Sequence, residues 1–475
     1  MDELVFYLNQ HIEIDEAVLV IDNFANSSIA NNIVIQSSIK HLYVVCDCDE
    51  QPPKSDLPTF HKDVVMWYNS AQELPEKLNN CKTILFNLER HPEAILDYLQ
   101  YRPERLLGVI QEGALSSFYI WEKFRQFCSY IQIRTNCNDK EPKVLTWTGS
   151  KTDIELSVIL PMYNVAEYLE CCIQSLVKWK ANYVEFIFVN DGSPDNSRDI
   201  VLKWAEHDNR IKLIDKENGG CASARQAGIE QSKGKYIGFV DPDDFIDPNM
   251  FLELLRAALI GNYEIAYCGY NEYYNDTGNF VRAYDNLGWP YDKGCLDPRW
   301  TQKLIYTCRV AIWREIFKRT LIENNNIHFY TDLKRFDDLP FKVETFASAR
   351  TVIAVNKYMY YYRLARPGQD VSADDERLFV HFDIFKHLNV SVASKKDQRL
   401  IDCLQLCKFA THVYALQKIK PNLAKSYITQ AKEDLESTGP FFRTYRLIKQ
   451  ELGKAKARKY VALMLGNFVY IKRHV

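Results

Sequence analysis

Between residues 155 and 241, four short runs rich in branched and aromatic residues, ELSVILPMYN, VEFIFVND, IKLID and KYIGFVD, alternate with stretches of helical periodicity. In 165–178, Tyr168, Leu169, Cys172, Ile173 and Leu176 share one side of a helix. Residues 197–207 and 222–231 are patterned as two more helices. Strand–helix alternation at this spacing calls for a parallel sheet, because each helix returns the chain to the same sheet end. In such βαβαβ sheets the ligand crevice lies beyond the carboxyl ends of the strands.

Those ends are polar. Asn164 follows the first strand, Asn190-Asp191-Gly192-Ser193 ends the second, and Asp241-Pro242-Asp243-Asp244 ends the fourth. Three carboxylates within four residues repel one another, and a divalent cation would relieve the repulsion. Oxygen-only ligands suit Mg²⁺ or Mn²⁺ better than Zn²⁺. Taken singly, each motif has a plain structural explanation. Acidic turns are common, and NDGS also reads as a tight turn with a helix cap.

The ordered set is more specific than its parts. LSVILPMYN, FVNDGSPDNS, NGGCASARQAG and GKYIGFVDPDD follow one another at the right separations. Over residues 154–375 the chain resembles a family 2 glycosyltransferase with the GT-A fold, of the bacterial surface-polysaccharide type. The resemblance implies an inverting, metal-dependent hexosyl- or N-acetylhexosaminyl-transferase. Its donor would be a nucleotide-sugar, most simply a UDP-sugar, and its acceptor a hydroxyl of a saccharide or lipid-linked glycan. On this resemblance Pro161, Tyr163 and Asn164 frame the base, and Asp191 accepts from its imide N–H. Lys216, Gly220 and Arg225 lie toward the sugar or diphosphate. Asp241, Asp243 and Asp244 carry Mn²⁺ or Mg²⁺, with Asp241 also near the ribose.

Further along, RFDDLPF matches the acceptor side of the family, where Glu-Asp is usual; here Asp337-Asp338 stands instead. Asp338 would be the general base, and an ordinary low-pKa carboxylate would suffice. The segment YMYYYRLARPGQDVS offers Arg363, and secondarily Arg366, for a phosphate contact, although its tyrosines equally fit a half-buried strand. Some relatives use a late histidine as a metal ligand, and His381 is not clearly placed for it. The alternative to an enzyme is a non-catalytic nucleotide- or glycan-binding protein on the same fold.

The remainder frames this centre. A length of 475 residues allows about two to four domains. We expect an N-terminal Rossmann-like α/β domain at 1–150, the GT-A core at 154–375 and a helical region at 376–475. Strands are expected at 18–21, 42–46, 64–68, 83–86, 106–110 and 131–134, helices at 71–78, 92–98 and 116–130, and a polar connector at 136–153. No Gly-rich phosphate loop follows any of these strands, so this domain has no assigned chemistry.

A net charge of −3 excludes a uniformly basic nucleic-acid binder. Thirteen scattered cysteines suggest reduced thiols and a cytoplasmic protein. Cys46 and Cys48 read as ordinary thiols rather than as a metal pair. The acidic start lacks a signal-peptide pattern, and no run of about 18 apolar residues is present. Residues 441–475 hold nine Lys or Arg against Glu451 alone. With Phe441, Phe442, Tyr445, Leu447 and Ile448 they form either a solvated helical face or a peripheral contact with an anionic membrane surface. Without membrane-spanning helices, single-sugar addition is favoured over processive polymerisation.

Overall fold

Parallel strands covered on both faces read as near-continuous apolar runs, and two such runs organise the sheet that carries the candidate site. They are β8 (Leu156–Met162) and β9 (Val184–Asp191), and every residue of both is buried. In this computed structural model the described residues are 154–283, 298–364 and 373–473, together with seven strands within 1–153. The chain divides into two units, Met1–Asp153 with Leu259–Asn262, and Ile154–Ala258 with Tyr263–Val475.

The seven strands of the first unit are β1 (Glu16–Ile21), β2 (His41–Cys46), β3 (Val65–Tyr68), β4 (Thr83–Asn87), β5 (Arg105–Ile110), β6 (Tyr130–Thr135) and β7 (Lys143–Thr148). They lie in the order β3-β2-β1-β4-β5-β6-β7. The first six are parallel, in the 3-2-1-4-5-6 order of a doubly wound nucleotide-binding sheet. β7 pairs antiparallel with β6 and falls inside the expected connector. The run KVLTWT has the residues of a strand, but the polar residues on either side mask it. The helices expected at 71–78 and 92–98, that at 116–130 up to Tyr130 of β6, and Cys48 lie outside the described residues.

The second unit continues from β8 and β9 with β10 (Ile211–Lys216), β11 (Tyr236–Phe239), β12 (Phe245–Ile246), β13 (Ile265–Tyr274), β14 (Phe280–Arg282), β15 (Glu315–Lys318) and β16 (Val352–Leu364). The sheet order is β10-β9-β8-β11-β15-β13-β16-β12, with β14 on the side of β13. β8 to β11 are parallel, and β15 enters antiparallel to both β11 and β13. Among the described residues, seven helices flank the strands: α1 (Ala166–Val177), α2 (Ser197–Ala205), α3 (Cys221–Gln231), α4 (Met250–Gly261), α5 (Pro298–Thr307), α6 (Arg319–Asn324) and α7 (Asp338–Ser348).

Six more helices follow: α8 (Val380–Ser394), α9 (Gln398–Lys418), α10 (Pro421–Thr438), α11 (Phe441–Glu451), α12 (Gly453–Met464) and α13 (Phe468–Arg473). α9 is buried nearly all round, as a helix between two cores must be. Leu404 and Cys407 join the core of the β8–β16 sheet, whereas Leu406 and Phe409 join that of the last helices. In that second core the basic tail spends most of its apolar side. Ile448 is fully buried and Phe441 stacks on Tyr460 at 5.3 Å. Tyr445 and Leu447 pack partly against the same core. Of the five apolar residues expected to meet a membrane, Phe442 alone is largely exposed, at 77%. Among the described residues, no helix is long and apolar enough to cross a membrane.

The amino ends of β8 and β9 are pinned by a buried polar knot. Ser157 donates to Glu185 at 2.6 Å, the Lys233 amide donates to Glu185 at 2.7 Å, and the Gly234 amide donates to Ser157 at 2.7 Å. The turn therefore lies flat on the strand backbone. A Cβ at Gly234 would stand 2.4 Å from the Ser157 nitrogen and 2.7 Å from the Leu156 carbonyl carbon. Gly234→Ala is therefore expected to cost roughly 1–3 kcal/mol, read as a lower midpoint in urea unfolding of the full chain.

Candidate active site at the carboxyl ends of the strands

The site begins where β8 stops pairing. Val240 donates to the Ile159 carbonyl, so this edge of β8 faces β11 at Ile159 and again two residues later at Pro161. β11 has ended by then, and Pro161 interrupts no ladder. The next residues leave the sheet. Tyr163 is 52% exposed, and Asn164 has φ of 54°, a left-handed conformation that Asn tolerates. The Asn164 amide donates to Ser193 Oγ at 3.3 Å, linking the first loop to the second.

Asp195, in the second loop, ties two helix starts together. Its carboxylate accepts from the Ala166 amide of α1 at 2.8 Å and the Ser197 amide of α2 at 3.1 Å. Burial opposes its charge, but the hydrogen bonds from Ser197 and Ala166 hold its carboxyl below the usual range. Asp191 performs a similar task one loop over. Oδ1 accepts from Lys216 Nζ at 2.5 Å and the Gly219 amide at 2.9 Å, and Oδ2 accepts from the Gly220 amide at 2.7 Å. Gly220 has φ of +88°, which glycine adopts without strain, and α3 begins at the next residue.

Arg225, one turn into α3, is 5% exposed and joins two distant loops. One guanidinium nitrogen donates to Asp241 at 2.6 Å and another to Asp337 at 2.8 Å. The ring of Phe329 lies under the guanidinium, 5.8 Å from its centre. Asp338 follows Asp337 as the first residue of α7 and is half-buried. Burial, then the charge of Asp337, pushes its pKa up to about 7 against the pull of Arg225. This corrects the expectation of an ordinary low-pKa carboxylate.

The acidic loop itself is held from β16. Tyr360 donates to Asp244 Oδ2 at 2.8 Å, and the Arg363 amide donates to Oδ1 at 2.7 Å. Arg363 Nε donates to the Asp243 carbonyl at 2.7 Å, and another guanidinium nitrogen donates to Asn275. Arg363 is buried beneath the loop among the rings of Tyr168, Tyr273 and Phe245. The residue expected to contact a phosphate thus has part of its guanidinium engaged inside the fold. Arg366 lies outside the described residues. His381 is buried between α8 and α10 against Tyr427, its pKa pushed down to about 3 by burial and then by His412. It is not at the acidic loop.

The oxygen-only set fits a hard divalent cation. Burial, then repulsion from Asp243 and Asp241, drives the Asp244 carboxyl well above the usual range, so the cluster resists full ionisation on its own. Among the described residues no three His, Cys, Asp or Glu side chains form a ready cage. Mg²⁺ and Mn²⁺ commonly use one or two carboxylates and complete their shell with phosphate and water.

Sequence reasoning brought Asp191, Lys216, Gly220, Arg225, Asp241 and Asp338 to this edge, and missed Asp195 and Tyr360. A residue at the start of a helix two positions before Ser197 was the available signal for Asp195. For Tyr360 there was only a run of tyrosines.

Comparisons with known proteins agree with this fold. The family model described as Glycosyl transferase family 2 matches residues 157–353. The chain is 32% identical over 261 residues to the uncharacterized glycosyltransferase EpsJ of Bacillus subtilis, covering 52% of this chain and 74% of EpsJ. It is 32% identical over 137 residues to the chondroitin synthase of Pasteurella multocida, covering 28% of this chain and 14% of that one. The crystal structure of S. aureus TarS 1–349 in complex with UDP-GlcNAc superposes with a TM-score of 0.53 at 20% identity, over 67% of this chain and 90% of that chain. The likeness establishes the GT-A-like fold.

The bridge through Arg225 yields a stability test. Arg225→Ala leaves Asp337 buried without its cation, and should cost about 3–5 kcal/mol in urea unfolding. Arg225→Ala with Asp337→Asn should recover a substantial part, since the stranded charge is then gone.

Proposed function

The chain belongs to glycosyl transferase family 2 and is a glycosyltransferase, and from that premise we propose that it transfers one sugar from a UDP-sugar to a saccharide hydroxyl, with inversion and with a divalent cation. The observation that carries this reading is the Arg225 bridge. One buried guanidinium gathers the acidic loop at Asp241 and the acidic pair at Asp337-Asp338, which are far apart in sequence. Donor chemistry and acceptor chemistry are thereby brought to one place. UDP-GlcNAc bound to S. aureus TarS on the same fold supports a UDP-sugar, and the polysaccharide synthases among the relatives support a glycan acceptor. The setting is assembly of a bacterial surface polysaccharide.

In this mechanism the base stands by the exposed Tyr163, and its imide N–H donates to the remaining lone pair of Asp191 Oδ2. The Gly219-Gly220 turn presents the amino end of α3, with its partial positive charge, toward the phosphates. Asp241 and Asp243 would hold Mn²⁺ or Mg²⁺, which supplies positive charge against the departing diphosphate. Asp338 accepts the proton of the acceptor hydroxyl as that oxygen attacks the anomeric carbon. The C–O bond to the diphosphate breaks on the opposite side, and configuration inverts. A pKa near 7 lets Asp338 be both largely ionised and appreciably basic just above neutrality.

The reading is tested by a thermal-shift panel of UDP, GDP, CMP and dTDP, each with and without Mn²⁺. Stabilisation by UDP with Mn²⁺ above the others is expected; no response to any nucleotide would overturn it.

Asp338 makes two further predictions. Transfer rate per substrate, kcat/KM, should fall about tenfold per pH unit below about 7 as the base takes a proton. Asp338→Asn should lower transfer by about 10²–10⁴-fold while leaving UDP binding intact. Its stability effect has the opposite sign. The folded-state pKa is raised, so wild-type stability falls as pH climbs from about 4 to about 7 and stays reduced above. At pH 8 the Asn variant should therefore melt higher than wild type.

We also propose that the basic tail meets an anionic membrane surface, the inner face of the cytoplasmic membrane. Arg446, Lys449, Lys454, Lys456 and Arg458 are exposed on α11 and α12, in the same stretch as Phe442. Co-sedimentation with vesicles containing phosphatidylglycerol, and not with neutral vesicles, is the expected result; equal binding to both would remove the proposal.

A further inference from the structure

We propose that Tyr360 is a positioning residue for the acidic loop, and that it reserves Asp241 and Asp243 for the cation by engaging Asp244. The inference rests on the metal-dependent reading above and deepens it. One hydroxyl touches both ends of the loop: it donates to Asp244 Oδ2 at 2.8 Å and accepts from the Asp241 amide at 3.2 Å. A phenol has one proton to give and lone pairs to receive, so both contacts coexist. The second Asp244 oxygen accepts from the Arg363 amide, so each oxygen of this carboxylate already has a partner on β16. Arg363 Nε then fixes the loop's middle through the Asp243 carbonyl.

The clamp is rigid because its parts are. Antiparallel register places Tyr360 opposite Ile246 and Tyr361 opposite Phe245, so the strand pair starts immediately after Asp244. Trp313 stacks on the Tyr360 ring at 4.2 Å and 29°. Without the hydroxyl, Asp244 loses a donor and the Asp241 backbone loses its tether. The loop could then spread, and two carboxylates would no longer be presented together to one ion.

Titration of UDP into wild type and Tyr360→Phe, with Mn²⁺ and separately in EDTA, tests this. Tyr361→Phe, whose ring packs on Phe245 at 4.7 Å, is the control. Expected is about a tenfold loss of affinity for UDP with Mn²⁺ in Tyr360→Phe, with unchanged affinity in EDTA and a wild-type response in Tyr361→Phe. A general structural defect would lower both affinities, and that result, or equal Mn²⁺-dependent binding by Tyr360→Phe and wild type, overturns the proposal. Should Tyr360→Phe fail to fold, Asp244→Asn decides. A partial loss of the Mn²⁺ effect supports the clamp, whereas abolition as complete as in Asp243→Asn makes Asp244 a ligand and sinks it. Wild type binding no UDP under either condition would instead take down the reading of function itself, and this inference with it.

Discussion

A buried guanidinium between two carboxylates is stable only if all three are present, and the architecture around the site follows from that constraint. Arg225 would not tolerate such burial without Asp241 and Asp337 within 2.8 Å. Each partner is fixed by its own element: Asp241 just beyond β11, Asp337 as the residue before α7, Arg225 in α3. The sheet must therefore close to the same geometry each time for the charges to meet. The bridge also brings a permanent positive charge to bear on Asp338 without neutralising its environment, because burial and the charge of Asp337 outweigh it.

The two ends of the strands divide the work. At the amino ends, Glu185 is surrounded by donors, including Lys212, and its charge is settled within the protein. At the carboxyl ends, Asp241, Asp243 and Asp244 load one short loop with like charge. The raised pKa of Asp244 is the local expression of that imbalance. The cation proposed for this loop would relieve that repulsion.

How much of this was legible depended on how local the information was. β8 to β11 and their helices declare themselves through runs and periodicity of a few residues. The polar strand ends could be placed on one edge because a parallel sheet leaves no other choice. Asp244 was indistinguishable from Asp243 in the sequence, since what separates them is a hydroxyl 116 residues away. The contacts of Arg363 were invisible for the same reason: nothing in the spacing pairs it with Asn275 or with the Asp243 carbonyl. The pKa of Asp338 depends on burial by segments that spacing cannot describe. β7 failed differently, since its own residues favour a strand and only its flanks pointed elsewhere.

The placement of Asp338 finally explains why the helical region belongs with the sheet. Its helix, α7, turns Phe341, Val343 and Phe346 into the same core as Ile384, Phe385 and Leu388 of α8 and Leu404 of α9. From the other side Lys342, fully buried, donates to the Ile305 carbonyl in the last turn of α5 and to the Cys308 carbonyl just after it. Tyr330 donates to Glu344 and closes the near flank at 2.6 Å. A general base must keep its position to a fraction of an ångström. In the role proposed for Asp338, that position would be set by packing on α8 and α9 as much as by the sheet, so the acceptor half of the proposed reaction would draw on both.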